Sequence, residues 1–174
     1  MAYLKYINDE RINIARGLVR DTTFVHKFGA VPQMSINATG TVWDVNDTLY
    51  PWSAFNTPGV LNIPAVNVAD NGNVITVLGL DSNYNEISEN FTVSSTVTTT
   101  GLKTFARVVR AFDTTGTNVA NINIRRATTV VARLTAGKGQ TLMSVYTIPA
   151  GYTGYLMQGT ASIEAGGDLS LIHI

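Results

Sequence analysis

Apolar residues in this chain alternate with polar ones far more than they recur at helical spacing, and short runs are broken by Gly, Pro, Asn and Asp. The alternation predicts strands over 22–28, 40–45, 61–68, 74–80 and 86–93. Further strands are predicted over 101–113, 120–125, 129–134, 141–148 and 153–163. In 86–93 the residues Ile87, Glu89 and Phe91 share one parity, and in 120–125 Ile122 and Ile124 face inward. Residues 101–113 read as the longest strand, with Leu102, Thr104, Ala106, Val108 and Arg110 on one face. Pro64 limits 61–68 to a sheet edge, because proline cannot donate to a ladder. Asp70-Asn-Gly-Asn73 is the strongest hairpin signal, and Asp81-Ser-Asn-Tyr-Asn85 a second turn. Residues 49–55, near Pro51 and Pro58, read as an ordered loop.

Residues 1–20 differ from the rest. They hold a dense charge cluster and the pattern of either an extended arm or a short helix capped by Asn8, running through Ala15 and stopped by Gly17. The remainder, 21–168, reads as one domain of about nine to ten short strands at the ~8–12-residue spacing of a sandwich or barrel. The expected fold is therefore all-β: an antiparallel β-sandwich, jelly-roll-like, with little helix. The hexapeptide Leu169-Ser-Leu-Ile-His-Ile174 resembles one reading frame of the transposase adapter used to prepare sequencing libraries. On that reading the domain is incomplete and the chain truncated at its C-terminus. On the other, Leu-Ser-Leu-Ile is a terminal strand.

Composition sharpens this picture. Charged residues are only 14% of the 174, while 23 Thr and 15 Asn fill the polar positions. Thr fits a pleated surface and Asn fits turns, so helical bundles and α/β enzymes are disfavoured. Twelve basic residues balance twelve acidic ones, which removes the electrostatic case for nucleic acid or an anionic membrane as partner. No apolar run approaches the ~18 residues of a membrane-spanning helix.

The chain lacks the parts of the common chemistries. Cysteine is absent, which excludes thiolate nucleophiles and Cys-bound zinc. His26 sits within a predicted strand with no Gly-x-Ser-x-Gly elbow anywhere. Asp70, Asp81 and Asp113 fall in or beside turns, and Glu86 and Glu89 face opposite sides of a strand, against the paired carboxylates of a glycosidase. The loop from Asp81 opens like a calcium loop, but Glu86 and Thr92 stand where Gly and Glu are required. Gly137-Lys-Gly139 lacks phosphate-loop spacing. The expectation is no enzyme, no cofactor and no metal. Candidate contact residues remain. Tyr50, Trp52 and Phe55 form an aromatic loop that is either a partner surface or a lid over one end of the sandwich. Arg107, with Arg125, Arg126 and Arg133, is expected to pair with Glu86 or Glu89 or to meet a protein neighbour.

Several segments carry a family resemblance. They are Gly79-Leu-Asp-Ser-Asn-Tyr-Asn-Glu-Ile-Ser-Glu89, Val25-His-Lys-Phe-Gly29, Val42-Trp-Asp44 with Tyr50-Pro-Trp52, and Gly139-Gln-Thr-Leu-Met143 leading to Tyr146-Thr-Ile-Pro-Ala-Gly-Tyr-Thr-Gly-Tyr-Leu156. In this order they resemble virion structural proteins of marine tailed bacteriophages, over residues 25–156. The resemblance implies a particle component in the virion without saying which one, with other virion proteins of capsid or tail as partners; capsid decoration is the leading expectation, and a homo-oligomer is expected because sandwich modules on capsids typically assemble symmetrically. The resemblance supplies no catalytic residue. The alternative expectation is a tail- or fibre-associated carbohydrate-binding module that presents Tyr50 and Trp52 to a sugar.

Overall fold

The computed structural model describes residues 10–34, 37–162 and 169–173. One short helix, α1 (Glu10–Ala15), precedes ten strands among them. The end of α1 is a Schellman motif: the Gly17 amide donates to Ile14 O and the Leu18 amide to Asn13 O, with Gly17 at φ +68°. Gly17 stops the helix as its sequence position predicts. Asn8, the expected cap, lies outside the described residues.

The strands are β1 (Phe28–Val31), β2 (Gly59–Ile63), β3 (Val74–Leu80), β4 (Glu86–Thr92), β5 (Thr99–Phe105), β6 (Arg107–Asp113), β7 (Ile122–Arg126), β8 (Thr129–Leu134), β9 (Thr160–Ala161) and β10 (Leu169–His173). Seven of them form an antiparallel sandwich. One sheet has the order β5-β2-β7-β8 and the other β4-β3-β6. A third, small sheet joins β1, β10 and β9. Strand pairing of β10 is what an alternating Leu-Ser-Leu-Ile pattern gives, whatever its origin.

The inward faces of the two main sheets supply the core. Leu61, Ile63, Ile75, Val77, Phe91, Phe105, Ile122, Ile124, Val131 and Leu134 are buried there, and Trp43, Tyr50, Phe55 and Met143 close over them from the loops. Burying one such side chain contributes roughly 1.5–3 kcal/mol, so this layer is the principal stabilising term.

The edges of the sandwich are tied on both sides. Residues Gln140 and Thr141 bridge to Phe112 of β6 and to Leu134 of β8. Opposite, the Glu89 carboxylate on β4 accepts from the Leu102 amide of β5 at 2.6 Å and from the Lys103 amide at 3.3 Å. These links cover edges that would otherwise be open to other chains.

The strands over 74–80 and 129–134 fall where the alternation places them, and Ile122 and Ile124 point inward. Elsewhere tertiary structure overrides the local pattern. Residues 101–113 are two strands, not one. The chain turns a corner at Ala106, whose amide donates to Leu80 O, so β5 joins one sheet and β6 the other. A register shift opposite Leu78 and Gly79 then places Val108 and Ala111, three apart, both inward. Strand β2 ends at Ile63 because of Pro64, yet it lies between β5 and β7 instead of at an edge. Asn71-Gly72 does not close a hairpin. Asn71 at φ −62°, ψ 126° and Gly72 at φ +86° make a type II turn that leads into β3, which pairs in the other sheet and not with β2. Only Phe28 of residues 22–28 is in a strand, and Phe24 and Val25 are exposed. Residues 40–45 and 141–148 contribute isolated bridges, such as Trp43 to Met143, and 153–163 shrink to β9 within the described residues.

Candidate functional site

The aromatic loop is anchored at its base by Thr41, whose Oγ1 accepts from the Tyr50 amide at 2.8 Å. Pro51 then opens a 3-10 helix, Trp52–Phe55, whose turns are held by Ala54 donating to Pro51 O and Asn56 to Ser53 O. This winding separates the three aromatics. Tyr50 and Phe55 are each 3% exposed and belong to the core, whereas Trp52 is 45% exposed. Tyr50 and Phe55 therefore take the place of a lid over the core, and of the three aromatics Trp52 alone is left at the surface. The Tyr50 ring meets Trp43 and Trp52 edge-on, with centroids 5.1 Å and 4.7 Å away.

Arg107, the first residue of β6, projects at this end of the sandwich. Its guanidinium carbon is 5.6 Å from the Trp52 ring centroid and 5.5 Å from that of Tyr84. One N–H donates to Ala106 O at 2.6 Å. Tyr84 stands at φ +61° in the β3–β4 turn, and its carbonyl accepts from the Ala150 amide. The chain after Ala150 is thereby drawn to the same end, where Tyr146, Tyr152 and Glu86 gather. Burial raises the Tyr146 hydroxyl above the ordinary tyrosine range, and the neighbouring Glu86 and Tyr152 add to it. Burial likewise pushes up the Tyr50 hydroxyl, with Arg107 partly opposing it.

Tyr84, Tyr146 and Tyr152 escape a sequence reading of contact residues. Tyr84 lies in a segment whose composition announces only a turn, and nothing in its spacing places it against Arg107.

The other arginines do not join this cluster. Arg133 donates to Asn123 Oδ1 at 2.8 Å and to Val45 O at 3.2 Å, and Arg126 donates to Thr57 O at 3.3 Å. The expected pairing of these arginines with Glu86 or Glu89 is thus replaced by bonds to carbonyls and an amide, while Glu89 serves β5.

The acids of the loops are committed to the fold. Asp70 is fully buried and accepts from the Val119 and Ala120 amides. Asp113 accepts from Asn73 Nδ2 and from Thr115 through both its amide and hydroxyl. Asp81 accepts from the Asn83 and Asn85 amides, and these bonds, that of Asn85 foremost, hold its carboxyl below the ordinary range. It is an Asx turn and not the start of a calcium loop. Asp44 is buried, which raises its carboxyl above the ordinary range against the opposing hydrogen bond from Thr135. Among the described residues its Oδ1, the Trp43 indole N–H and the Tyr50 hydroxyl are buried with no hydrogen-bond partner.

His26 stacks with Phe24 at 6.5 Å and lies 6.2 Å from Phe28. A shallow cleft of about 230 Å³ is lined by Pro32, Gln33, Val45, Asn46 and Asp47 and touches none of the candidate contact residues. Among the described residues no group of three His, Asp or Glu converges as a metal site, and no helix is long and apolar enough to cross a membrane. Compared with family models, with curated proteins and with solved structures, the chain finds no match in any of the three.

Proposed function

We propose that the chain is a non-enzymatic structural protein of a bacteriophage virion that works through protein–protein contacts, with capsid decoration as its specific role. The observation that carries this reading is the stretch that follows the sandwich. Tyr155 is 80% and Leu156 76% exposed, beside exposed Tyr152 and Met157. Large apolar side chains in an extended segment gain nothing from an isolated monomer and gain much from a neighbouring subunit. The commitment of Asp70, Asp81, Asp113 and Glu89 to backbone amides fits a protein built for rigidity. Symmetric homo-oligomers are the usual way such a surface is covered.

Copy number in purified particles tests the role. Abundance comparable to the major capsid protein supports decoration, and a handful of copies per particle moves the assignment to the tail. A second reading, the tail-associated carbohydrate-binding module, is favoured by the half-exposed Trp52 beside Arg107 and Tyr84. Trp52→Ala separates the two. Loss of glycan binding with intact particles supports the module, and weaker particles with unchanged glycan binding support decoration.

A further inference from the structure

Arg107 is held unlike any other arginine in the chain. Two aromatic rings, Trp52 and Tyr84, each lie within 5.6 Å of its guanidinium. The Ala106 carbonyl takes one N–H, and the other donors meet no acceptor among the described residues. No carboxylate there lies within ion-pair distance of it. In register, Arg107 and Glu86 flank Leu80 on successive strands, which separates them by about two strand spacings, roughly 10 Å. Glu86 forms no ion pair with the guanidinium, and its charge is felt instead by the Tyr146 hydroxyl.

A half-buried guanidinium between rings is pre-oriented, and its planar fork matches a carboxylate. The adjoining rings, Trp52 and Tyr84, are both partly exposed; they offer flat apolar surface to the C–H side of a sugar, with the Trp52 indole N–H and the Tyr84 hydroxyl as polar groups at their rims. We propose that Trp52, Tyr84 and Arg107 form a binding platform for an acidic glycan, a saccharide that lies against the exposed parts of the two rings and whose uronate carboxylate takes the Arg107 guanidinium. This rests on the carbohydrate-binding reading and adds the ligand class to it. An acidic protein segment would use the same cation. The half-exposed Trp52 and Tyr84 rings beside that cation add flat apolar surface that suits the C–H face of a sugar, and this favours the saccharide.

The test uses the full chain with uronate hexamers of galacturonate, glucuronate and mannuronate, and with the corresponding neutral hexose hexamers. Binding is followed by calorimetry and by tryptophan emission, to which the exposed Trp52 responds and the buried Trp43 does not. The expected result is that at least one uronate hexamer binds about tenfold or more tighter than its neutral counterpart, and more weakly as salt rises. Arg107→Gln removes that preference, Trp52→Phe removes the emission change, and Tyr155→Ala, in the exposed segment, alters neither. Melting curves for each variant confirm that the sandwich is folded. Equal binding of acidic and neutral hexamers overturns the acidic ligand and leaves the glycan reading standing. Binding of neither overturns both. Arg107-dependent capture of an Asp/Glu-rich peptide, with no saccharide binding, overturns the proposal in favour of a protein partner.

Discussion

Lys27 is a cation that the fold accepts at a cost. Its Nζ donates to Val109 O at 2.5 Å, and burial, with Arg110 nearby, lowers its pKa from 10.5 to about 8. Between those values the unfolded chain binds the proton and the folded chain does not, so stability rises with pH across that window. Below about pH 8 the cost is present in full. Lys27→Met should remove it, stabilising the protein by on the order of 1–3 kcal/mol at pH 7 and by less at pH 10, as measured by denaturant unfolding at the two pH values. Asn118 is the opposite case, a buried polar side chain with every bond made. Its Nδ2 donates to the carbonyls of Ala120, Leu134 and Thr135, and its Oδ1 accepts from the Gly139 amide. Asn118→Ala removes these bonds, with the Thr135 carbonyl keeping a further partner in the Lys138 amide, and should cost about 3 kcal/mol, lowering the melting temperature by about 10 °C. Asn118 reads in sequence as one more turn asparagine. Its role depends on the carbonyls of Leu134 and Thr135 and the amide of Gly139, 16 to 21 residues away, and local pattern carries no information about them.

At the scale of elements, the passage from β5 to β6 decides how the two sheets connect. Gly79 makes it possible. A Cβ there would fall on the Arg107 carbonyl oxygen, next to the Phe105 ring 2.7 Å away. Backbone cannot yield as a flexible side chain can. Gly79→Ala should therefore cost more than about 2 kcal/mol, while Gly116→Ala, with open space at its Cβ, should stay within about 0.5 kcal/mol. Similar losses in both variants, measured by calorimetric melting, would contradict this account of the corner. Gly101 faces a comparable approach from Glu89 and Phe91, at the link between β4 and β5. Sequence alternation marks β7 well because it keeps one face on the core, whereas β3 and β8 are marked by short apolar runs that are buried at consecutive positions. Alternation runs straight through Ala106, since both flanking strands alternate and only the sheets' positions in space reveal the break.

At the scale of the whole molecule, the exposed segment around Tyr155 and Leu156 makes association the main expectation. Leu156→Asp should leave the melting temperature unchanged, because the side chain is outside the core, and should abolish self-association or particle binding in analytical ultracentrifugation. Self-association that survives the change would locate the contact elsewhere. The class of fold was already decided by period-two alternation, by a surface of Thr and Asn, and by Gly and Pro at the turns, because all of these act within a few residues. The sequence likewise marked Trp52 and Arg107 as candidates through residue type. Which sheet each strand joins, the burial of Tyr50 and Phe55 while Trp52 stays outside, and the meeting of Arg107 with Tyr84 were decided only by the tertiary structure. Each depends on contacts between residues far apart in the chain, whose free energy arises only when the two sheets close on one core.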